Sequence, residues 1–289
     1  MRIGAVFPQL EIGTDPADIA RWAAQVEQLG YEYVLAYDHV LGAGASTRPG
    51  WRGYTSDDSF HEVFVLLGYF AALTTAVELT TGVLILPQRQ TVLVAKQAAQ
   101  VDVLSGGRMR MGIGVGWNPV EYEGLSEDFG NRGARSEEQI ELMRALWAAP
   151  TITFHGRWHQ VENAGINPRP VRGNIPIWIG GVAEPVLARI GRVADGWMPL
   201  RRPDDKAAAM IDHIRGYAAE AGRSPEEIGI EARLTIASEP RRDWLGYVAA
   251  WRQLGATHLC VNTMGMQLSR VDEHLAALAD VIAQVRTVM

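Results

Sequence analysis

The feature that most constrains the fold of this chain is the regular alternation of short apolar runs with helical segments. The runs are continuously apolar, as expected of parallel strands that are covered on both faces. Eight of them are strand candidates, namely Ile3–Phe7, Tyr33–Tyr37, Leu79–Leu84, Met109–Val115, Ile177–Gly180, Gly196–Met198, Ile230–Ile236 and His258–Asn262. Eight strands interleaved with helices predict an α/β fold that closes into a (β/α)₈ TIM barrel, with an open doubly wound sheet as the alternative.

Helix signals occupy the segments between these runs. Asp15 precedes Pro16 at the start of the first helix, and Gly30 ends it. Ser136 and Gln139 have the spacing of a capping box, which predicts that another helix begins there. The other predicted helices span Val92–Leu104, Asp205–Ala221, Arg241–Leu254 and Val271–Val285.

Two connections are longer than a barrel needs. Leu41–His61 leaves the end of the second strand, so it is predicted to cap a site there. Thr151–Asn174 begins as a β-hairpin before the fifth strand and is predicted to lie at the bottom or edge of the barrel with a structural role. With 289 residues, 47% of them hydrophobic, the chain can bury one large core, and we predict a single domain over residues 1–289.

Composition excludes several partners. The net charge is −6 and the basic residues are scattered, which argues against nucleic acid or an anionic membrane as the partner. The one cysteine, Cys260, can form no internal disulfide, which favours a reducing compartment and a core position for this residue. The N-terminus lacks the pattern of a signal peptide, and the longest uncharged apolar stretch, Val63–Val77, is too short to cross a bilayer. These features predict a cytoplasmic protein.

A glycine pair follows the fifth predicted strand. Gly180 and Gly181 would let the backbone pass close to a ligand, and the N–H groups of the next helix would face that ligand together with the positive end of the helix dipole. Glu184 and Pro185 suit the first turn of this helix. The segment predicts either a phosphate or other anion site, with backbone contacts that include Val182, or a tight turn that binds nothing.

The C-terminal ends of barrel strands converge on the functional site in folds of this type. Here these ends carry neither of the two lysines, which excludes Schiff-base chemistry, and no pair of carboxylates suited to glycoside hydrolysis. They also lack a cluster of metal-binding side chains, so no metal site is predicted. The strand ends therefore favour a planar, anion-tailed ligand that brings its own reactivity. They comprise Phe7–Pro8, Asp38–His39, Gly82–Val83, Gly116–Asn118, Gly180–Val182, Trp197–Met198, Thr235 and Asn262.

Asp38 and His39 are the most reactive pair at these strand ends. A histidine can move a proton near neutral pH, and the adjacent carboxylate can bind the ligand or orient nearby groups. The alternative is that Asp38 and His39 only anchor the loop that follows them.

The glycine run over residues 112–118 does not match a dinucleotide motif, because Trp117 stands where the third glycine would be. Its glycines are predicted to let a flat ligand approach the backbone. Asn118 and Tyr122 could contact that ligand, with a helix N-cap as the alternative role of Asn118.

Taken together, these segments resemble the luciferase-like monooxygenase superfamily of flavin and deazaflavin oxidoreductases, and more narrowly its probable coenzyme F420-dependent oxidoreductases. The resemblance runs nearly end to end, and the order and spacing of its pieces are what make it specific. The pieces are MRIGAVFPQ, Asp38–His39, TTGVLILPQRQTVLVAKQAAQVDVLSGGR, GIGVGWNPVEYEGL, DFGNRGARSEEQIELMRALW, the His155–Gly156 hairpin, PIWIGG and ADGWMP.

The resemblance implies a barrel that holds an isoalloxazine-type ring at its C-terminal mouth, with the cofactor phosphate on the glycine pair. His39 would donate or accept the proton that accompanies hydride transfer. A bulge, often with a non-proline cis peptide, would stand behind the ring at the end of the third strand. The implied cofactor-binding residues are Asp38, Gly82, Val83, Asn118, Tyr122, Gly180, Gly181 and Val182.

The activity that the resemblance implies is hydride transfer between coenzyme F420 and an unidentified small organic substrate. Trp51, Phe60 and Trp117 would form an apolar wall of the substrate pocket, with core packing as the alternative. One position departs from the family. Related sugar-phosphate dehydrogenases carry a catalytic glutamate just after the fourth strand, where this chain has Asn118, and its nearest acids are Glu121 and Glu123.

Three other functions stay open. The first is an FMN-dependent monooxygenase that uses reduced flavin and oxygen, which Asn118 and Tyr122 would also suit. The second is a non-catalytic barrel that binds a flavin or deazaflavin. The third, a sugar-phosphate isomerase or lyase, is disfavoured because the strand ends lack the base and lysine it needs. Relatives are often dimers, so a homodimer is a further expectation.

Overall fold

A computed structural model describes residues 1–44, 48 and 50–288 of the chain. The strands are β1 (Arg2–Val6), β2 (Tyr33–Ala36), β3 (Glu78–Thr81), β4 (Leu84–Ile85), β5 (Met109–Gly114), β6 (Ile152–His155), β7 (Gln160–Ala164), β8 (Ile177–Gly180), β9 (Gly196–Met198), β10 (Gly229–Thr235) and β11 (His258–Asn262). The α-helices are α1 (Pro16–Gln28), α2 (Val63–Leu73), α3 (Thr91–Leu104), α4 (Pro119–Gly124), α5 (Arg132–Ala148), α6 (Glu184–Val193), α7 (Asp205–Glu220), α8 (Trp244–Gln253) and α9 (Val271–Val285).

The strands form a closed parallel barrel, which confirms the predicted (β/α)₈ fold over the open sheet. Their order is β3-β2-β1-β11-β10-β9-β8-β5-β4, and a pairing of β3 with β5 closes the ring. The helices pack around it, and their apolar faces join the outer faces of the strands in one core. Among the described residues, none of the helices has the length and apolar content that a bilayer crossing requires.

The third barrel strand is broken where a single strand over Leu79–Leu84 was expected. β3 ends at Thr81, and β4 resumes at Leu84. Between them lies a non-proline cis peptide bond joining Gly82 to Val83. The predicted bulge at this strand end is therefore confirmed, and it directs Val83 toward the mouth of the barrel, where the strands have their C-terminal ends.

The predicted capping box at Ser136 and Gln139 is wrong. The helix begins a turn earlier, at Arg132, so both residues lie inside α5. Both are buried, and the Gln139 amide donates hydrogen bonds to the carbonyl oxygens of Leu86 and Arg89. Gln139 thus joins α5 to the chain that follows β4, whereas the Ser136 hydroxyl donates to the Gly133 carbonyl oxygen within α5.

The hairpin of β6 and β7 lies outside the barrel, as expected of a structural insertion, but its tip is not at the bottom. Glu138 of α5 accepts hydrogen bonds from the backbone N–H groups of Arg157, Trp158 and His159. The His159 imidazole is 2.6 Å from the Thr91 hydroxyl at the start of α3, on the mouth side. The hairpin thus runs along the outer surface up to the rim.

Candidate functional site

The C-terminal strand ends enclose a cavity of about 510 Å³ at the mouth of the barrel. Its wall includes strand-end residues from β2, the bulge after β3, β5, β8, β10 and β11. The predicted site residues that line it are Asp38, His39, Gly82, Val83, Trp117, Gly180, Gly181 and Val182. The fold therefore brings together segments that are more than a hundred residues apart in the sequence.

A larger cavity of about 1000 Å³ lies on the outer surface, between the start of α3, the hairpin and the chain before α5. Trp158, Lys96 and Arg135 are among its lining residues. It contains no C-terminal strand end, and none of the predicted site residues lines it. Because barrel chemistry is carried by the strand ends, we place the functional site in the smaller cavity.

Asp38 both lines the cavity and anchors its wall. One carboxylate oxygen accepts a hydrogen bond from Arg89 at 2.6 Å, and the other accepts one from the backbone N–H of Ile85 at 3.0 Å. Burial raises the pKa of the Asp38 carboxyl above its ordinary value, although the Arg89 guanidinium opposes that rise. The anchoring role that the sequence left open is therefore present, and it fixes the segment after the bulge.

His39 is held by a carboxylate that sequence reasoning did not assign. Its Nδ1 is 3.2 Å from Oε1 and 3.3 Å from Oε2 of Glu121, which lies on α4 and is fully buried. The same carboxylate accepts hydrogen bonds from the backbone N–H of Val40 at 2.7 Å and from the Gln88 amide at 3.3 Å. These contacts orient the imidazole and leave Nε2 as the ring nitrogen available to a ligand.

The Glu121 carboxylate is charged at neutral pH. Burial by itself would raise its pKa, but the hydrogen bonds from His39 and the Val40 backbone hold the pKa below its ordinary value. The sequence did contain a signal for this residue. Glu121 follows the N-cap Asn118 by three positions, where an acid usually serves the helix end. Here it points instead at His39 and Val40, which follow β2.

Aromatic rings surround the His39 imidazole. The ring centroids of Tyr54 and Phe60 lie 4.5 and 4.7 Å from it, and that of Trp117 lies at 6.3 Å. Trp117 and Tyr54 line the cavity, whereas Trp51 and Phe60 pack behind them. Of the three residues predicted to form an apolar wall, Trp117 lines the cavity and Trp51 and Phe60 do not. Their role in a substrate pocket stays a prediction. Residues 45–47 and 49 of the predicted capping loop lie outside the described residues.

The glycines of β5 serve packing as well as access. A Cβ atom on Gly112 would lie 2.1 Å from the Thr81 carbonyl oxygen, and one on Gly114 would lie 2.7 Å from the Val83 side chain. Gly114 also lines the cavity. The absence of a side chain at Gly112 and at Gly114 therefore makes room for the bulge of the third strand, a reason that the sequence alone did not reveal.

Asn118 and Tyr122 do not line the cavity. The Asn118 side-chain oxygen accepts a hydrogen bond from the Val120 N–H and so caps α4, as the alternative interpretation of this residue had it. The Tyr122 hydroxyl donates to the Val115 carbonyl oxygen at 2.7 Å. Both residues brace the chain that follows β5, and their assignment as cofactor ligands stays a prediction.

The turn after β8 has the properties of an anion cradle. Gly181 has a φ of +134°, and the Trp197 indole donates a hydrogen bond to its carbonyl oxygen at 2.8 Å, which fixes the turn. The N-cap of α6 is Ala183, whose side chain provides no capping bond. Pro185 has no N–H and the Val186 N–H bonds the Ala183 carbonyl oxygen, so at the start of α6 the Glu184 N–H is the one that could serve a ligand. A Cβ on Gly181 would press on Val186 at 3.1 Å. These features fit the phosphate of a flavin-type cofactor.

Comparison with known proteins identifies a family and individual proteins that this chain resembles. The model of the luciferase-like monooxygenase family matches residues 3–282. An uncharacterised protein of Mycobacterium tuberculosis is 36% identical over 231 residues, which cover 78% of this chain and 80% of that protein. An FMNH(2)-dependent dimethylsulfone monooxygenase of Pseudomonas fluorescens is 29% identical over 79% of this chain and 60% of its own length. The solved structure of an F420-dependent secondary alcohol dehydrogenase with an F420–acetone adduct has a TM-score of 0.79 at 17% identity, covering 98% of both chains.

Proposed function

The chain belongs to the luciferase-like monooxygenase family, and on this basis we propose that it is an oxidoreductase that uses coenzyme F420 to transfer a hydride to or from a small organic substrate. The observation that carries the proposal is the buried Glu121 carboxylate that holds His39 at the wall of the mouth cavity. Hydride transfer to a carbonyl or from an alcohol needs a proton donor or acceptor beside the reacting carbon. In this proposal His39 would act in this way.

The cofactor would lie on residues of the cavity wall. Gly180, Gly181 and Val182 would hold its phosphate, and the Gly82–Val83 bulge would stand behind its ring. A bound deazaflavin would supply or accept the hydride. The chain itself would move the proton at Nε2 of His39, while the Glu121 carboxylate keeps Nδ1 protonated and stabilises the imidazolium form.

The aromatic wall would exclude water from the reacting groups. Tyr54 and Trp117 line the cavity next to His39, and their rings offer an apolar surface to the substrate. A site with fewer competing water molecules strengthens the electrostatic interaction between His39 and Glu121. This arrangement supports a substrate with an apolar part next to the carbon that exchanges hydride.

A second candidate is an FMN-dependent monooxygenase that reacts reduced flavin with oxygen. The observation in its favour is the relative from Pseudomonas fluorescens, which is FMNH(2)-dependent and 29% identical to this chain. The F420-dependent alcohol dehydrogenase, at 17% identity, supports the first candidate through its fold. The glycine turn would suit the phosphate of either cofactor.

The deciding experiment is a pair of equilibrium titrations of the purified protein, with coenzyme F420 and with FMN, followed by fluorescence quenching. Tighter binding of F420, followed by substrate-dependent F420 reduction in a panel of alcohols, is the expected result. Tighter binding of FMN with oxygen consumption would favour the monooxygenase. Tight binding without turnover across the panel would favour a non-catalytic carrier, and binding of neither cofactor would overturn all three.

A further inference from the structure

A second cavity opens beside the first. It has a volume of about 480 Å³, lies at the ends of β9 and β10, and shares part of its wall with the mouth cavity. The shared residues are Leu200, Arg233 and Thr235. The two cavities meet at these three residues, so a ligand in the mouth cavity could extend past them into the second cavity.

Arg233 is a buried cation with most of its hydrogen-bonding capacity unused. Its side chain is 10% exposed. One guanidinium nitrogen donates to the Tyr37 hydroxyl at 3.3 Å, and another is 3.7 Å from Glu231, beyond hydrogen-bond distance. Its Nε has no partner among the residues that the structure describes. A guanidinium has five N–H donors, and leaving them unbonded in a buried position is costly unless a ligand accepts from them.

The carboxylate nearest to Arg233 is bound more closely by another cation. Glu231 is engaged by Arg110 at 2.8 Å, and Arg110 also binds Glu78, which in turn pairs with Arg2. Arg2 also lies 3.7 Å from Glu32 at the surface, so the connected ion pairs contain three guanidinium groups and three carboxylates. Arg233 is the member of this chain of ion pairs that lines the mouth cavity.

Arg201 provides a second cation in the same cavity. Its Nε is buried without a hydrogen-bond partner among the described residues, and its one carboxylate partner, Asp204, is 3.3 Å away. The Tyr247 hydroxyl lies 3.2 Å from the Arg201 carbonyl oxygen and 2.9 Å from that of Arg233. Tyr247 therefore joins the loop after β9 to β10 and fixes the backbones of the two arginines next to each other.

We propose that Arg201 and Arg233 form an anion subsite that binds a carboxylate or phosphate group of a ligand in the mouth cavity. Planar guanidinium groups bind such anions with paired hydrogen bonds. Both arginines line the second cavity, and each has an Nε without a hydrogen-bond partner among the described residues. The anion belongs either to the substrate, which would then be an organic acid or a phosphate ester, or to the acidic tail that coenzyme F420 carries beyond its phosphate. The inference rests on the proposed function insofar as the mouth cavity is the reaction site.

The test is isothermal titration of inorganic phosphate into the cofactor-free wild-type protein and into the Arg201→Gln and Arg233→Gln variants. Loss of hydrogen bonds to a charged group should weaken phosphate binding about tenfold or more in either variant. Arg233 is buried, so its variant is first checked for a native circular dichroism spectrum. If it does not fold, the partly exposed Arg201 decides the result. Equal phosphate affinity in wild type and the Arg201→Gln variant would overturn the proposal.

Arg202→Gln is the matched control. Arg202 lines the same cavity, but its side chain is 67% exposed and its guanidinium is bonded to Glu239. Phosphate affinity should therefore stay within about twofold of wild type in this variant, because the Arg202 guanidinium is already occupied by Glu239. A loss as large as that in Arg201→Gln would show a general effect of surface charge and would contradict a specific subsite.

Repeating the titration with saturating cofactor identifies the source of the anion. If F420 with its glutamate tail blocks the arginine-dependent phosphate binding and the tail-free form does not, the subsite binds the cofactor tail. If phosphate still binds beside both forms, the subsite serves the substrate. Failure of every cofactor to bind, with arginine-dependent phosphate binding intact, would reject the proposed function and leave the anion subsite standing.

Discussion

At the scale of single residues, the reactivity of the site depends on a contact between two distant parts of the chain. His39 follows β2, and Glu121 lies on α4, yet the imidazole and the carboxylate are 3.2 Å apart. An imidazole with one nitrogen bound to a carboxylate has a defined tautomer and orientation, which is what proton transfer at the other nitrogen requires. The residue pair, rather than His39 alone, is therefore the unit to be tested.

Replacing His39 with Ala should lower kcat by about a hundredfold or more, the usual contribution of a general acid or base. Cofactor affinity should change little, because the predicted phosphate cradle lies on a different strand end. Steady-state F420 reduction and a fluorescence titration measure the two quantities. His155→Ala is the control, since His155 is on the hairpin and its side chain is 63% exposed. Unchanged turnover in the His39 variant would remove this residue from the mechanism.

Replacing Glu121 with Gln should lower kcat about tenfold to a hundredfold, because the amide cannot stabilise the imidazolium. The pKa of Glu121 lies below its ordinary value, so its charge is present at neutral pH and is lost only as the pH falls through that lowered pKa. The wild-type carboxylate therefore stays charged between about pH 6 and pH 8, and the loss of kcat in the variant should be present throughout this range. A variant with wild-type kcat in this range would remove Glu121 from the mechanism. If Glu121→Asp recovers part of the lost kcat and the cofactor Kd is unchanged, then the loss in Glu121→Gln comes from the positioning of His39 and not from misfolding.

At the scale of elements, close contact between neighbouring helices sets the outer layer of the barrel. Gly191 of α6 faces α7, and a Cβ atom there would lie 2.5 Å from the Tyr217 Cβ and 2.8 Å from the Ala218 backbone nitrogen. Gly216 of α7 has no atom within 4 Å of such a Cβ. The two glycines have the same local helix propensity, and only the packing between elements distinguishes them.

Alanine at these two positions should have opposite effects on stability. Gly191→Ala should lower the free energy of unfolding by about 1 to 3 kcal/mol, because the α7 backbone cannot move aside easily. Gly216→Ala should raise it by up to about 1 kcal/mol through the better helix propensity of alanine. Urea unfolding followed by circular dichroism measures both. A Gly191→Ala protein as stable as wild type would mean that α6 and α7 are farther apart than described.

At the scale of the whole molecule, an ion cluster crosses the barrel interior. Arg110 on β5 contacts Glu78 on β3 and Glu231 on β10, and its guanidinium lies 4.4 Å from the centroid of the Trp178 ring. Burial by itself would lower the pKa of Arg110, but the two carboxylates keep it above its ordinary value. The cluster therefore connects β3, β5 and β10 across the interior of the ring.

Replacing Arg110 with Met should reduce the free energy of unfolding by about 3 to 5 kcal/mol, the usual cost of breaking a buried ion pair by removing one partner. Glu231 would keep only the longer 3.7 Å contact with Arg233. Thermal and urea unfolding give the measurement. Arg242→Met is the control, because its side chain is 84% exposed and 3.7 Å from Asp243, and it should be neutral. A neutral Arg110→Met variant would contradict a stabilising role of the cluster.

The sequence by itself determined the local features of this protein. Continuous apolar runs identified the barrel strands, Asp15 with Pro16 located the start of α1, and α9 spans the predicted Val271–Val285. The cis peptide at Gly82–Val83 was foreseen through family resemblance. These features depend on neighbouring residues or on a recognisable segment, so they can be read along the chain.

Only the tertiary structure decided which side chains meet. Glu121 has the spacing of a helix-end acid, but strand register and the orientation of α4 place it against His39. Gln139 has the spacing of a cap, but burial against the chain after β4 gives it another role. Arg233 on β10 reaches the mouth cavity because successive side chains of a barrel strand alternate between inside and outside. Such contacts depend on how distant strands align, and no local pattern specifies that alignment.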